Sequence, residues 1–157
     1  MELKVEKENA IKAWKEGNAE TKKALENLYG KEVFNMKITD RVKTFEDAYE
    51  IAGRPQRPNF NVFPFYDRSF YENMWKMSII TMVLNEDWIP DWNNSNEPKY
   101  YPYFRMSPSG FAFYGANCDY TDAYAGCGSR LRFRTSELAK YAGEQFLDIW
   151  KIIQECF

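Results

Sequence analysis

Three arginines occupy every second position near the end of the chain: Arg130, Arg132 and Arg134. In a β-strand this spacing places all three side chains on one face, about 6.5–7 Å apart. Guanidinium groups in such a row can clamp phosphates or carboxylates, particularly if Arg105 and Lys99 lie on a neighbouring strand. The alternative is a solvated sheet face whose arginines pair with acidic neighbours and discourage edge aggregation. Both interpretations leave this face uncovered by helices.

Two tyrosines, Tyr101 and Tyr103, precede Arg105 in a segment whose composition predicts a strand over 99–106. Tyrosine and arginine are enriched at the hot spots of protein interfaces. The leading hypothesis is therefore a non-enzymatic protein that binds a protein partner through an aromatic and arginine sheet surface. Such residues also suit single-stranded nucleic acid, but a formal net charge of −2 gives no general affinity for it.

Two tryptophans, Trp88 and Trp92, lie in a segment rich in acidic residues: Glu86, Asp87, Asp91 and Glu97. Aromatic rings stack on the faces of sugars, and a pair of carboxyl groups can perform general acid and base catalysis. This combination favours a carbohydrate-binding module or a glycan-active protein as the alternative hypothesis. Acidic residues are also common in solvated loops, and the tryptophans can equally be core anchors.

The chain contains no histidine. Its absence excludes Ser-His-Asp and Cys-His nucleophilic sites, zinc sites that use histidine, and imidazole as an acid or base. Neither a P-loop nor a G-x-G-x-x-G motif occurs. Asn117, Asp119 and Asp122 offer oxygen ligands, but the glycine and terminal glutamate of an EF-hand loop are missing, which favours a plain turn. We therefore expect neither a cofactor nor a metal ion.

The totals describe a globular chain of 157 residues, with 45% apolar and 28% charged residues. A membrane-spanning helix needs about 18 consecutive apolar residues, and no stretch of the chain approaches that length. No signal peptide is recognisable at the start. We therefore expect a soluble, cytoplasmic protein without membrane contact. Cys118, Cys127 and Cys156 are scattered along the chain, which suits free thiols in a reducing compartment.

Helix signals dominate the first third of the chain. Asn18 suits the N-cap of a helix over 19–29, and Gly30 suits its end. Thr44 and Asp47 form a capping box ahead of another short helix. A helix-turn-helix that reads DNA is the functional alternative, but packing is the favoured interpretation, because the second helix offers only Lys22 and Lys23 against Glu20 and Glu26.

The remaining elements predict an α+β fold. An apolar helix over 68–84, capped by Asp67, precedes strands over 99–106 and 111–114 and a last strand over 129–134. Thr135 is the expected N-cap of a long amphipathic helix over 136–155. We expect an antiparallel sheet of three to four strands covered on one face by the two long helices, with small N-terminal helices alongside. The whole chain, 1–157, is expected to be one domain, with a helical part over 1–53 and an α+β core over 60–157.

Several segments resemble a family of short uncharacterised proteins of gut Bacteroidales and their phages and prophages. The resemblance rests on Trp88-Ile-Pro-Asp-Trp92, on Lys99-Tyr-Tyr-Pro-Tyr-Phe104 and on the stretch from Gly128 to Phe146. The segments 30–34 and 42–48 are similar to the N-terminal part of that family. The resemblance implies a phage or mobile-element origin, with a place in the host cytoplasm or in the virion, and carries over no activity, ligand or catalytic residue.

Overall fold

The computed structural model describes residues 7–108, 110–122 and 129–155. Cys127 and Cys156, two of the three predicted free thiols, lie outside the described residues. The chain divides into two compact units, residues 1–41 and 42–157. The second unit therefore begins before the capping box, whereas the sequence placed residues up to 53 with the N-terminal helices.

The first unit is helical: α1 (Lys7–Glu16), α2 (Ala19–Tyr29), α3 (Lys31–Asn35) and α4 (Ile38–Arg41). Asn18 caps α2, since its side-chain oxygen accepts the backbone N–H of Thr21 at 2.9 Å. Gly30 ends α2 with a φ of 85°, a conformation that glycine adopts without steric cost. Both predicted ends of this helix are thereby confirmed. Trp14 stacks on Phe34, with the ring centres 5.3 Å apart.

The second unit begins with α5 (Phe45–Ile51) and α6 (Phe65–Leu84). The predicted capping box of α5 is confirmed, because Thr44 and Asp47 each accept the other's backbone N–H. Burial raises the pKa of the Asp47 carboxyl, but hydrogen bonds from the backbone N–H groups of Thr44 and Lys43 hold it below its ordinary value. Asp67 was predicted to cap α6, but the helix starts three residues earlier than predicted, at Phe65, and follows Pro64.

Two strands, β1 (Lys99–Ser107) and β2 (Gly110–Asp119), form an antiparallel hairpin. Its register changes once: Tyr103 pairs with Gly115 and Phe104 with Phe113, so Tyr114 is the extra residue of a β-bulge. The sheet has two strands within the described residues, where three to four were predicted. The α+β class is confirmed, and the larger sheet is not.

The predicted strand over 129–134 is wrong. Residues Ser129–Leu131 form a turn of 3₁₀ helix, and Phe133 makes only an isolated bridge to Tyr100. The pairing of Phe133 with Tyr100 does not extend into a ladder, because Leu131 and Thr135 would face Pro102 and Pro98, which have no N–H to donate. The buried side chain of Asn85 holds the segment from its other edge. Its amide donates to the carbonyl oxygen of Arg132 at 2.7 Å and accepts the N–H of Arg134 at 2.9 Å.

One face of the hairpin packs on α7 (Ser136–Gln145) and α8 (Leu147–Glu155). The predicted cap is confirmed, since the Thr135 hydroxyl accepts the N–H of Leu138 at 3.2 Å. The predicted single helix breaks at the buried Phe146, whose backbone leaves the helical region. The ring centres of Phe104 on β1 and Trp150 on α8 lie 5.4 Å apart. The other long helix, α6, packs mainly on α8 and α5 rather than on the hairpin. Covering of the sheet by two long helices is therefore not confirmed.

The close approach of α7 to the hairpin depends on a glycine. A Cβ atom added at Gly143 would lie 2.5 Å from the ring of Phe113 and 2.9 Å from Pro102. Only a residue without a side chain permits this contact. No described helix combines the length and the apolar content that crossing a membrane requires.

Candidate binding surface

The hairpin face opposite α7 is the candidate surface, and we call it the outer face. Alternation along β1 places four residues there: Lys99, Tyr101, Tyr103 and Arg105. Strand β2 adds Asp119, which pairs with Lys99, and the bulged Tyr114. The predicted binding residues Tyr101, Tyr103 and Arg105 therefore lie on the same face.

Three exposed side chains meet at the end of this face nearest the hairpin turn. The guanidinium carbon of Arg105 lies 4.0 Å from the ring centre of Tyr114. Tyr103 meets the same ring edge to face, with the centres 5.8 Å apart. The exposed fractions of Tyr103 and Tyr114 are 51% and 58%. We call these three residues the aromatic–arginine patch.

The side chains of the patch have no polar partner inside the part of the chain that the structure describes. Neither a hydrogen bond nor an ion pair joins the hydroxyl of Tyr103, the hydroxyl of Tyr114 or the guanidinium of Arg105 to another described residue. Stacking holds the planar guanidinium against the ring and leaves its N–H edges available. The patch thus presents rigid aromatic surface together with a preoriented cation.

Arg132 contributes to the other end of the outer face in a different way. Its guanidinium carbon lies 4.3 Å from the ring centre of Tyr101, and Nη2 donates to Oδ2 of Asp119 at 2.7 Å. The residue is only 1% exposed. Its Nε and Nη1 atoms are buried without a hydrogen-bond partner among the described residues. The predicted solvated or ligand-binding arginine is therefore packed inside the protein.

The predicted row of three arginines does not exist, because residues 129–134 are not a strand. Arg130 is exposed in the 3₁₀ turn. Arg134 lies near the surface, with Nη2 at 3.3 Å from Oε2 of Glu86. The three side chains thus have separate surroundings, and only Arg132 touches the outer face through Tyr101.

The tryptophan segment is organised by a buried cation. Lys99 is fully buried, and its Nζ atom donates to the carbonyl oxygens of Asn94 and Glu97 at 3.0 and 2.8 Å. The same atom lies 3.4 Å from Oε1 of Glu97 and 5.7 Å from the ring centre of Trp92. Oε1 of Glu97 also accepts the backbone N–H of Asp91 at 2.9 Å. These contacts fix the loop that precedes β1.

The surroundings of this loop limit the predicted sugar chemistry. Trp88 and Trp92 are both half-buried, so their rings remain partly accessible. Glu97 and Glu86 are engaged with Lys99 and Arg134 respectively. A free pair of carboxyl groups beside the tryptophans would have to come from Asp87 and Asp91.

Two of the three oxygen ligands considered for a cation are also engaged. Asp119 pairs with Arg132, and the side-chain oxygen of Asn117 accepts the N–H of Cys118 at 2.9 Å. Within the described ranges, no three histidine, cysteine, aspartate or glutamate residues cluster closely enough to hold a metal ion.

The sequence missed Tyr114 as a member of the surface. Phe113 faces α7, so alternation along the predicted strand over 111–114 already directs Tyr114 to the outer face. That alternation is the signal that could have found it, and Gly115 inside the strand is a weaker sign of the bulge itself. Comparison of the chain with protein-family models, with curated proteins and with solved structures gave no match.

Proposed function

We propose that this protein is a non-enzymatic binding protein of phage or mobile-element origin that recognises a protein partner through the aromatic–arginine patch. The observation that carries the proposal is the set of three exposed side chains, Tyr103, Arg105 and Tyr114, whose polar groups lack described partners. The origin rests on the family resemblance of the sequence. The host cytoplasm, or the virion, is the corresponding location, and the whole chain is proposed to act as one domain.

The chemistry of the patch favours an acidic partner surface. A guanidinium stacked on a ring has restricted rotation, so less side-chain entropy is lost when its N–H groups bind a carboxylate. Tyrosine adds contact area at low entropic cost because it has only two side-chain torsions. The partner is therefore expected to offer a carboxylate beside an apolar surface.

Affinity capture with matched variants tests the proposal. Tagged wild-type protein and the variants Tyr103→Ala, Arg105→Ala and Tyr66→Ala are incubated with a lysate of a Bacteroidales host, and retained proteins are quantified by mass spectrometry. Tyr66 is the control, since its side chain is 72% exposed and lies on α6. A genuine partner is retained by the wild type and the control, and is lost with both patch variants.

The Kd of each variant for the purified partner then measures how much each patch residue contributes to binding. Truncation of a hot-spot residue raises Kd by about 30-fold. Arg105→Lys separates charge from geometry, because lysine keeps the charge and loses the planar fork. We expect this variant to bind more weakly than wild type. Equal affinities of wild type, Tyr103→Ala and Arg105→Ala would show that the patch does not bind the partner.

The partial exposure of Trp88 and Trp92 supports carbohydrate binding as the second candidate. Glycan-array binding that disappears in Trp92→Ala and persists in Tyr103→Ala would replace the protein partner by a sugar. Binding of an oligothymidine that weakens steeply with salt would instead indicate single-stranded nucleic acid on the outer face.

A further inference from the structure

The two edges of the hairpin can be assigned from one pair of hydrogen bonds. Tyr100 donates to and accepts from Phe133, at 3.0 and 2.7 Å, so its backbone groups point away from β2. Backbone direction alternates along an antiparallel strand. Pro102, Phe104 and Met106 therefore also point their backbone groups away from β2. Their partners on β2 point outward on the opposite edge, and these residues are Phe111, Phe113, Ala116 and Cys118.

The edge of β1 that faces away from β2 is protected against pairing with a further strand. Phe133 occupies the backbone groups of Tyr100. Pro102, two residues on, has no N–H to offer a neighbouring strand. Lys99 and Arg105 add charge to the same strand. Prolines and charges of this kind are devices by which natural sheets prevent edge-to-edge association.

The edge of β2 that faces away from β1 carries neither a proline nor a charge, and its one described irregularity is the bulge at Tyr114. From Gly110 to Cys118 the strand contains neither a charged residue nor a proline. The outward groups of Phe111, Phe113 and Ala116 make no backbone hydrogen bond to any residue that the structure describes. The N–H of Cys118 also points outward, but it donates to the side-chain oxygen of Asn117. An uncharged strand with open hydrogen-bonding groups is a template for another strand.

We propose that the occupant of this edge is β2 of a second copy of the same chain, paired antiparallel about a twofold axis. An identical uncharged strand meets no like charge over Gly110 to Cys118, and the small net charge of −2 produces little repulsion between copies. Twofold pairing is self-complementary, so every open group on one copy meets the same set on the other. The dimer would contain a continuous four-stranded sheet.

The twofold axis of such a pair is perpendicular to the sheet, and both outer faces then lie on the same side. The two aromatic–arginine patches would form one bivalent surface, which gains avidity for a partner that carries repeated sites. The self-association itself does not depend on the proposed partner and is measurable with purified protein alone.

Two measurements on the wild-type protein test the dimer. Sedimentation equilibrium over micromolar to millimolar concentrations is expected to show a shift from the mass of one chain to twice that mass. Amide hydrogen exchange is expected to slow at Phe111, Phe113 and Ala116 as the concentration rises. A single-chain mass at every concentration would overturn the proposal. So would slow exchange of these amides at a concentration where the measured mass is that of one chain, because the edge would then be covered within one chain.

A proline substitution provides the specific variant. Ala116→Pro removes one outward N–H, and the facing position on β1 is already occupied by Pro102. We expect the dimer Kd to rise about tenfold or more. Tyr103→Ala is the control, since it alters the patch and leaves the edge intact. A folded Ala116→Pro protein, checked by circular dichroism, that dimerises like wild type would overturn the proposal. If that variant fails to fold, the exchange measurement decides.

Discussion

The two ends of the outer face carry the same pair of residue types in opposite surroundings. Arg132 lies over Tyr101 at one end, and Arg105 lies over Tyr114 at the other, at 4.3 and 4.0 Å. Arg132 is buried and bonded to Asp119, whereas Arg105 is exposed with no described polar partner. Burial and the available acid, rather than residue type, therefore separate a structural arginine from one free to bind. Four predictions test this difference, beginning with the largest effect.

Removal of the buried arginine is expected to cost the most stability. Arg132→Ala leaves Asp119 as a largely buried charge without its partner, which typically lowers the free energy of unfolding by about 3–5 kcal/mol. Denaturant melts measure this value. Arg105→Ala is the matched control and is expected to stay within about 0.5 kcal/mol of wild type. Equal effects of the two variants would show that the ends do not differ in the way described.

The buried lysine at the same end is expected to give an intermediate effect. Lys99→Met keeps the length and apolar stem but leaves the carbonyl oxygens of Asn94 and Glu97 without their donor. Leaving such buried groups unsatisfied costs about 1–3 kcal/mol. Denaturant melts, followed by the fluorescence of the nearby Trp92, check this value. The exposed Lys140→Met is the control and should be close to wild type; a similar loss there would point to a general effect of removing charge.

Local signals in the sequence predicted the structure well where the hydrogen bonds are themselves local. The caps at Asn18, Thr44 and Thr135 satisfy N–H groups three residues away, so residue type and spacing suffice to identify them. The two strands of the hairpin were predicted for a similar reason, since a short turn joins them along the chain. The structure then places Tyr101 and Tyr103 on one face, as the predicted tyrosine and arginine surface requires.

Long-range partners explain what the sequence did not reveal. Asn85 bonds the backbone of residues 47 and 49 positions away and holds the segment that precedes α7. The burial of Arg132 depends on Asp119, which is 13 residues distant and belongs to another element. None of these contacts has a signature in the spacing of residues along the chain.

A cap remote from both ends of the face provides a calibration. Thr135→Ala removes the hydroxyl that accepts the N–H of Leu138 at the start of α7. Loss of an N-cap typically costs about 1 kcal/mol. Denaturant melts should place this variant below Lys99→Met in effect and above Arg105→Ala. If Thr135→Ala lowered the free energy of unfolding as much as Arg132→Ala, loss of the cap would also weaken the packing of α7 on the hairpin.

The last prediction compares the two arginine–tyrosine pairs directly, and the exposed pair gives the smallest effect of all. Double-mutant cycles with alanine isolate the coupling within each pair. Exposed cation–π contacts contribute about 0.5–1 kcal/mol, and desolvated ones about 2 kcal/mol or more. We therefore expect the weaker coupling for Arg105 with Tyr114, at about 0.5 kcal/mol in line with the small effect of Arg105→Ala, and the stronger for Arg132 with Tyr101.

Salt sharpens the same comparison. The coupling of the exposed pair should fall as ionic strength rises, while that of the buried pair should change little, because mobile ions screen only accessible charges. Denaturant melts of the variants at low and high salt measure both cycles. A salt-insensitive coupling of about 2 kcal/mol for Arg105 and Tyr114 would give this pair the energetics of a desolvated contact. Arg105 would then stabilise the hairpin itself, and the proposed patch would lose the cation on which recognition of an acidic partner depends.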